Sequence, residues 1–312
     1  MKKGMVVSAV LAALWLVMGT GFAAGEDGGL WDAYNKILKK AKYVDLTHAF
    51  NPTIPVWPGF GNAKFKAGVA GQEIKGYCSL GEPFDYKKHG FISTAYELVT
   101  DQYGTQLDPP AHFYEYGVTI SDLPATYSVR PLVVIDIHKK VGKDEGYHAT
   151  LEDIKAWEAK HGRIPEGSVV AIRSDWSKKW NQPERFANAP FPGTKLDALK
   201  FLHLERKILF HGHEPLDTDT TPNMEGETWL LTHNYCQAEG MTNLDKVPEA
   251  GALILIGFAK PEGGTGGYAR YIAVCPSDWK FGQSIEELPG APLPKQPYPN
   301  KRDKNGVLRS MP

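Results

Sequence analysis

The chain has 312 residues, with 35 Lys and Arg against 36 Asp and Glu, a formal charge of −1. That balance leaves no basic footprint for nucleic acid or for an anionic membrane. A hydrophobic fraction of 42% is enough to fill one large core or two small ones, and the three cysteines Cys78, Cys236 and Cys275 make neither a Cys-x-x-Cys pair nor an even framework.

In chain order, Met1-Lys2-Lys3 precedes an apolar run from Met5 to Met18, and small residues follow at Ala23 and Ala24. A basic start, a short apolar stretch and a small-residue end predict a secretory signal peptide over residues 1–23. The run is shorter than the about 20 residues a membrane span needs, so the mature protein is expected in the periplasm or secreted. Trp31–Ala41 has helical spacing, with Tyr34, Ile37 and Leu38 on one side. Short β-branched runs bounded by Gly, Pro or Asp then predict strands at 43–47, 91–99, 131–137, 168–174, 252–259 and 271–275. "TLEDIKAWEAKHG" at 150–162 predicts a helix, with Thr150 as its cap, Asp153 three residues on and Gly162 at its end. "ETWLLTHNYC" at 227–236 predicts a second helix, stopped by Gly240. No repeat or linker divides 42–276, which predicts one α/β domain. The Pro-rich tail, 277–312, reads as an arm over a partner subunit or as a loose end. One cysteine pair would bridge in an oxidising compartment; burial as small apolar side chains is the other reading.

The stretch "DQYGTQLDPPAHFYEYG" at 101–117 carries the chemistry. Pro109 and Pro110 keep Asp108 and His112 off a shared helical face. They predict an extended, rigid loop that holds polar side chains at little entropic cost. Taken alone, the same loop also reads as a polyproline turn with a packed histidine.

With "DLTHAFNPTIPVWPG" at 45–59, "AIRSDWSKKW" at 171–180, "LFHGHEPLDTD" at 209–219 and "AEGMTNLDKVP" at 238–248, the segment "YGTQLDPPAHF" resembles the cyclase family. That family includes bacterial kynurenine formamidases and isatin hydrolase, and its signature is His-x-Gly-Thr-His-x-Asp-x-Pro-x-His-Phe. The resemblance runs in order through residues 42–276. It implies a single α/β domain of the swivelling β/β/α type, with a mixed sheet or barrel-like core and flanking helices. It also implies a homo-oligomer and a metal centre that activates water for attack on an amide or formamide carbonyl. Residue by residue, the family's bridging ligand matches Asp108, its proton-shuttling histidine matches His112, and its late ligand matches Glu239. Its two loop histidine ligands fall on Gln102 and Gln106, and a further histidine ligand falls on Glu227.

Each replacement still offers an oxygen lone pair. Imidazole suits Zn²⁺, whereas carboxylate and carbonyl oxygens suit Mn²⁺ or Mg²⁺, so the divalent ion expected is Mn²⁺ or Mg²⁺ rather than Zn²⁺. The function expected is an exported, metal-dependent, arylformamidase-like hydrolase of amide-type C–N bonds acting on a small molecule. The alternative is a periplasmic binding protein that keeps the pocket without turnover. Asp108 with His112 points to the enzyme; the Gln and Glu replacements point the other way. His211 and His213 are expected on a turn after a probable strand, beside Glu214, Asp217 and Asp219; as a His-x-His pair in strand geometry they would face one way and supply imidazoles, or one would be buried and one solvated. His233 would replace a lost ligand if the helix register slips, and His48 would buttress the site or the core. Trp57, Tyr103 and Phe113 read as a clamp for a planar ring, or as core.

Overall fold

The strand Val129–Asp136 is an almost unbroken apolar run buried on both sides, the pattern of a strand inside a parallel sheet. It pairs in parallel with Val169–Arg173, which pairs with Phe210–His213, which pairs with Cys236–Glu239. Antiparallel partners complete the sheet: Ala252–Phe258 beside 129–136, Gly267–Cys275 beside it, and Lys42–Asp45 at the edge. Gln106–Asp108 pairs with 236–239 on one side and with Gly267 and Tyr268 on the other. The sheet therefore closes into a seven-strand mixed barrel, as the resemblance implied, with 42–45 outside the ring. This is a computed structural model, describing residues 28–288 and 290–312. The signal peptide expected over residues 1–23 lies outside them. Among the described residues no helix is long and apolar enough to cross a membrane.

Because side chains alternate along a strand, each barrel strand has an inner and an outer row. Leu107, Val169, Ala171, Phe210, Cys236, Ala238, Ile254, Tyr271 and Ala273 share the inner core. The outer row of the parallel strands, Val133, Ile135, Val170 and Ile172, packs against Ile154 and Trp157 of the helix Leu151–His161 and against Ala198 and Leu202. That helix starts as predicted. The Thr150 hydroxyl accepts from the Asp153 amide at 3.3 Å, and the Asp153 carboxylate accepts from the Thr150 amide at 3.0 Å. A cap of this kind is worth about 1 kcal/mol. Gly162 ends the helix at φ 88°, where only glycine is unstrained.

Three expectations change. The second helix spans Glu225–Thr232, not 227–236; Asn234 turns left-handed at φ 66° and the chain enters the strand Cys236–Glu239. Ladder pairing on both sides of Gln237 outweighs the local helical pattern there. Of the run 91–99, Thr94–Glu97 is a strand, paired with Lys64–Ala67 in a separate ribbon. The tail is not loose. Asn300–Arg302 and Leu308–Ser310 form a hairpin, and the Arg302 guanidinium donates to the Ser93 carbonyl at 2.6 Å and to the Thr94 hydroxyl at 3.0 Å. All three cysteines are buried and free.

Candidate functional site: a carboxylate cluster on the barrel wall

The site lies on the outer face of the barrel, where the apolar row gives way to a polar one. In the strand 106–108, Leu107 points inward, so Gln106 and Asp108 point outward together. Their cross-strand partners are Glu239 and Gln237 respectively, which puts four polar side chains on one patch of the ladder. The Gln106 amide donates to Glu239 Oε2 at 2.8 Å and to Gln102 Oε1 at 2.8 Å. The Gln237 amide donates to Glu239 Oε1 at 2.9 Å and to Asp108 Oδ2 at 3.3 Å.

Two further elements close over the patch. Glu227 comes from the first turn of the helix 225–232, whose free amides Gly226 N and Glu227 N are received by Asp219 Oδ2 at 2.8 and 3.4 Å. Asp219 thus fixes the end of the helix that delivers Glu227. Gln102 enters on a loop held at Asp101, whose carboxylate accepts from the Thr265 and Gly266 amides at 2.8 and 3.0 Å. The Gln102 amide donates to the Thr265 carbonyl at 2.9 Å. Gly266 lies so close that a Cβ there would sit 2.5 Å from Gln102 Nε2.

Asp108, Glu227 and Glu239 offer oxygens that all lie within 4.8 Å of one another, and all three residues are buried. Burial pushes Asp108 up to about 7 and Glu227 and Glu239 well above the usual carboxylate range, each reinforced by its neighbours' charges. Without a counter-charge, such a group holds protons at neutral pH. Among the described residues Asp108 Oδ1, Glu227 Oε2 and Gln106 Oε1 are buried with no hydrogen-bond partner. Three unused acceptors aimed into a carboxylate cluster are what a hard divalent cation requires. The donor set fits such an ion.

Above the cluster opens a cavity of about 250 Å³, lined by Val56, Trp57, Phe60, Phe113, Leu216 and Met224 on its apolar walls. Gln102, Gln106, His112, Asp217, Glu227 and Glu239 form its polar part. His112 ends the short turn Pro110–His112, its amide donating to the Pro109 carbonyl at 3.0 Å. The loop is therefore a strand followed by a tight turn rather than extended throughout. The His112 ring is half-buried, packs edge-on against Phe113 at 4.9 Å, and has no side-chain hydrogen bond among the described residues. Burial lowers its pKa, partly offset by the Asp101 charge, so at neutral pH the ring is neutral and able to accept a proton.

The family model for cyclases matches residues 44–220, which covers the loop and the strand 106–108. The chain belongs to the cyclase family. It is 30% identical over 256 residues to an isatin hydrolase of Roseibium aggregatum, spanning 76% of this chain and 93% of that one. A kynurenine formamidase of Bacillus cereus is 23% identical over 140 residues, 41% of this chain and 57% of its own. A crystal structure of an isatin hydrolase bound to the product analogue thioisatinate superimposes with a TM-score of 0.66 at 27% identity, covering 80% of this chain and 97% of that one.

Against the cyclase pattern, the fold brings Asp108, Glu227 and Glu239 together with Gln106 beside them, and sets Gln102 one hydrogen bond further out. His112, Trp57 and Phe113 line the cavity. Tyr103 does not touch it; the ring is buried against Phe50 and its hydroxyl donates to the Gly61 carbonyl at 2.5 Å. His211 and His213 are both buried behind the carboxylates. Their Nε2 atoms lie 3.3 and 3.1 Å from the Thr218 hydroxyl, which donates to Gln237 Oε1 at 2.7 Å. His233 is exposed past the helix end, its Nδ1 2.7 Å from the Trp229 carbonyl. His48 stacks on Trp180 at 3.7 Å, while its amide donates to Thr105 Oγ1 at 2.9 Å; that hydroxyl in turn donates to the Gly240 carbonyl at 2.6 Å. It buttresses the 105–240 junction. Sequence reasoning missed Gln237 and Asp217. The alternation of Gln237 with Glu239 was the available signal, masked by the helical reading of 227–236.

Proposed function

We propose that the protein is a divalent-metal-dependent hydrolase of a non-peptide C–N bond in a planar aromatic amide or lactam. The observation that carries this is the set of unpartnered oxygens of Asp108, Glu227 and Gln106, of which Glu227 and Gln106 line an aromatic-walled cavity with an unengaged neutral His112 on its side. When bound by Asp108, Glu227 and Glu239, a divalent cation would polarise the substrate carbonyl and make water a better nucleophile. The chain's own groups do the rest. Trp57, Phe60 and Phe113 hold the ring and exclude water from the carboxylates. His112 takes the proton from the attacking water as the C–O bond forms, and returns it to the nitrogen as the C–N bond breaks. The Gln106 and Gln237 amides hold both oxygens of Glu239 and one of Asp108, which keeps the carboxylates in place while charge changes beside them.

The all-oxygen donor set supports Mn²⁺ or Mg²⁺ over Zn²⁺. Among the described residues no Lys or Arg lines the cavity, so a substrate carboxylate would find no cationic side chain there. This supports a substrate without a carboxylate, such as a lactam, ahead of the amino acid N-formylkynurenine, the arylformamidase substrate. Isatin hydrolysis by Mn²⁺-supplemented protein, lost in Asp108→Asn, is the test; hydrolysis undiminished in that variant refutes the reading. Removal of residues 1–23 on export and a homo-oligomer belong to the same proposal. N-terminal sequencing of secreted protein and light scattering read them, and an uncleaved N-terminus or a monomer removes them.

A further inference from the structure

Asp217 is the one cavity carboxylate outside the Asp108, Glu227 and Glu239 group. Its backbone is clamped from both sides. Leu216 before it is buried against Trp176 and Phe186. Thr218 after it is tied to Gln237, and Asp219 caps the helix 225–232. The side chain is thus projected into the cavity by a fixed turn. It is half-buried and makes no side-chain hydrogen bond or ion pair among the described residues. Burial and the Asp219 charge hold it up at about 7, which follows from the missing counter-charge. The cavity's apolar walls include the rings of Trp57, Phe60 and Phe113, and among the described residues no cationic side chain lines it.

We propose that Asp217 is a specificity-determining residue, accepting a charge-assisted hydrogen bond from a protonated amine carried by an aromatic substrate. The position of the reacting amide rests on the hydrolase reading above; the amine contact does not. A carboxylate outside the cation-binding group, in a cavity with aromatic walls, selects a cation on a planar ring through the ion pair, with the ring quadrupoles adding to it.

The experiment compares benzylamine with benzyl alcohol, neutral and of the same shape, by calorimetry on the Mn²⁺-saturated protein at pH 8. A charge-assisted hydrogen bond in a desolvated cavity corresponds to a preference of about 10–100-fold for the ammonium. Asp217→Asn should remove that preference and leave benzyl alcohol affinity and Mn²⁺ affinity unchanged. Equal affinities in the unmodified protein, no binding of benzylamine, or a preference that survives Asp217→Asn overturns the proposal. Lost Mn²⁺ affinity in Asp217→Asn also overturns it, by making Asp217 a cation ligand. Turnover plays no part in the measurement. A protein that shows the preference but hydrolyses no aryl amide refutes the hydrolase reading alone; hydrolysis without the preference refutes the Asp217 proposal alone.

Discussion

Replacing Glu227 with Gln removes one proton-binding group from the buried cluster while keeping its volume and its hydrogen-bonding oxygen. In the metal-free protein the Glu227 carboxyl is held well above its ordinary value by burial and by Asp217 and Asp108. A carboxyl whose folded pKa is raised contributes stability in full below its unfolded pKa, near 4.5, and loses it as pH rises toward the folded pKa. Each pH unit in that window costs about 1.4 kcal/mol. As pH rises through that window the unmodified protein therefore loses stability that Glu227→Gln does not lose. At roughly 2–4 °C per kcal/mol for a chain of this size, each pH unit inside the window changes the Tm difference between the two proteins by about 3–6 °C. The comparison between variant and parent removes the contribution of the buried histidines His203, His211 and His213, whose lowered values act with the opposite sign. Calorimetric melting in chelator at pH 5, 6 and 7 reads it directly. Added Mn²⁺ should then raise the Tm of the unmodified protein at pH 7 more than that of the variant. A Tm difference independent of pH would refute the placement of Glu227 in a cation-poor carboxylate cluster.

His112→Ala should lower kcat by about 10²–10⁴-fold and leave Mn²⁺ binding intact; equal loss of metal would make His112 a ligand. Because burial lowers the His112 pKa and the neutral ring is the working form, the acid limb of kcat/KM should fall below the ordinary histidine value of 6.5, and a limb above 6.5 would assign it to another group. Gly266→Ala puts a methyl 2.5 Å from Gln102 Nε2, which should displace Gln102 and its bond to Gln106. Mn²⁺ affinity should drop while the fold, tied through Asp101, melts cooperatively; unchanged affinity would exclude Gln102 from any part in holding the ion.

The barrel was legible where side-chain pattern and pairing agree. The runs at 132–135 and 169–173 are apolar because both of their faces are covered, while 252–258 alternates buried with more exposed residues. The capped helix at 151–161 announces itself through Thr150, Asp153 and Gly162. The short strands 106–108 and 236–239 are polar on the face that matters, so no hydrophobic period marks them, and they pair with each other across more than a hundred residues. Asp108, Glu227 and Glu239 were reached through the resemblance to cyclases, not through spacing. Gln237 and Asp217 stayed hidden because their roles arise from a cross-strand register and a turn that only the folded ladder defines. Tyr103 shows the converse error: an aromatic residue beside the motif faces the core.

The central claim is that the carboxylate cluster holds a divalent cation needed for C–N hydrolysis. Protein purified without chelator should contain Mn²⁺ or Mg²⁺ by elemental analysis and open the isatin lactam. Exhaustive chelation should abolish that activity, and Mn²⁺ should restore it more fully than Zn²⁺. Undiminished hydrolysis by demonstrably metal-free protein, or restoration by Zn²⁺ alone, would contradict it.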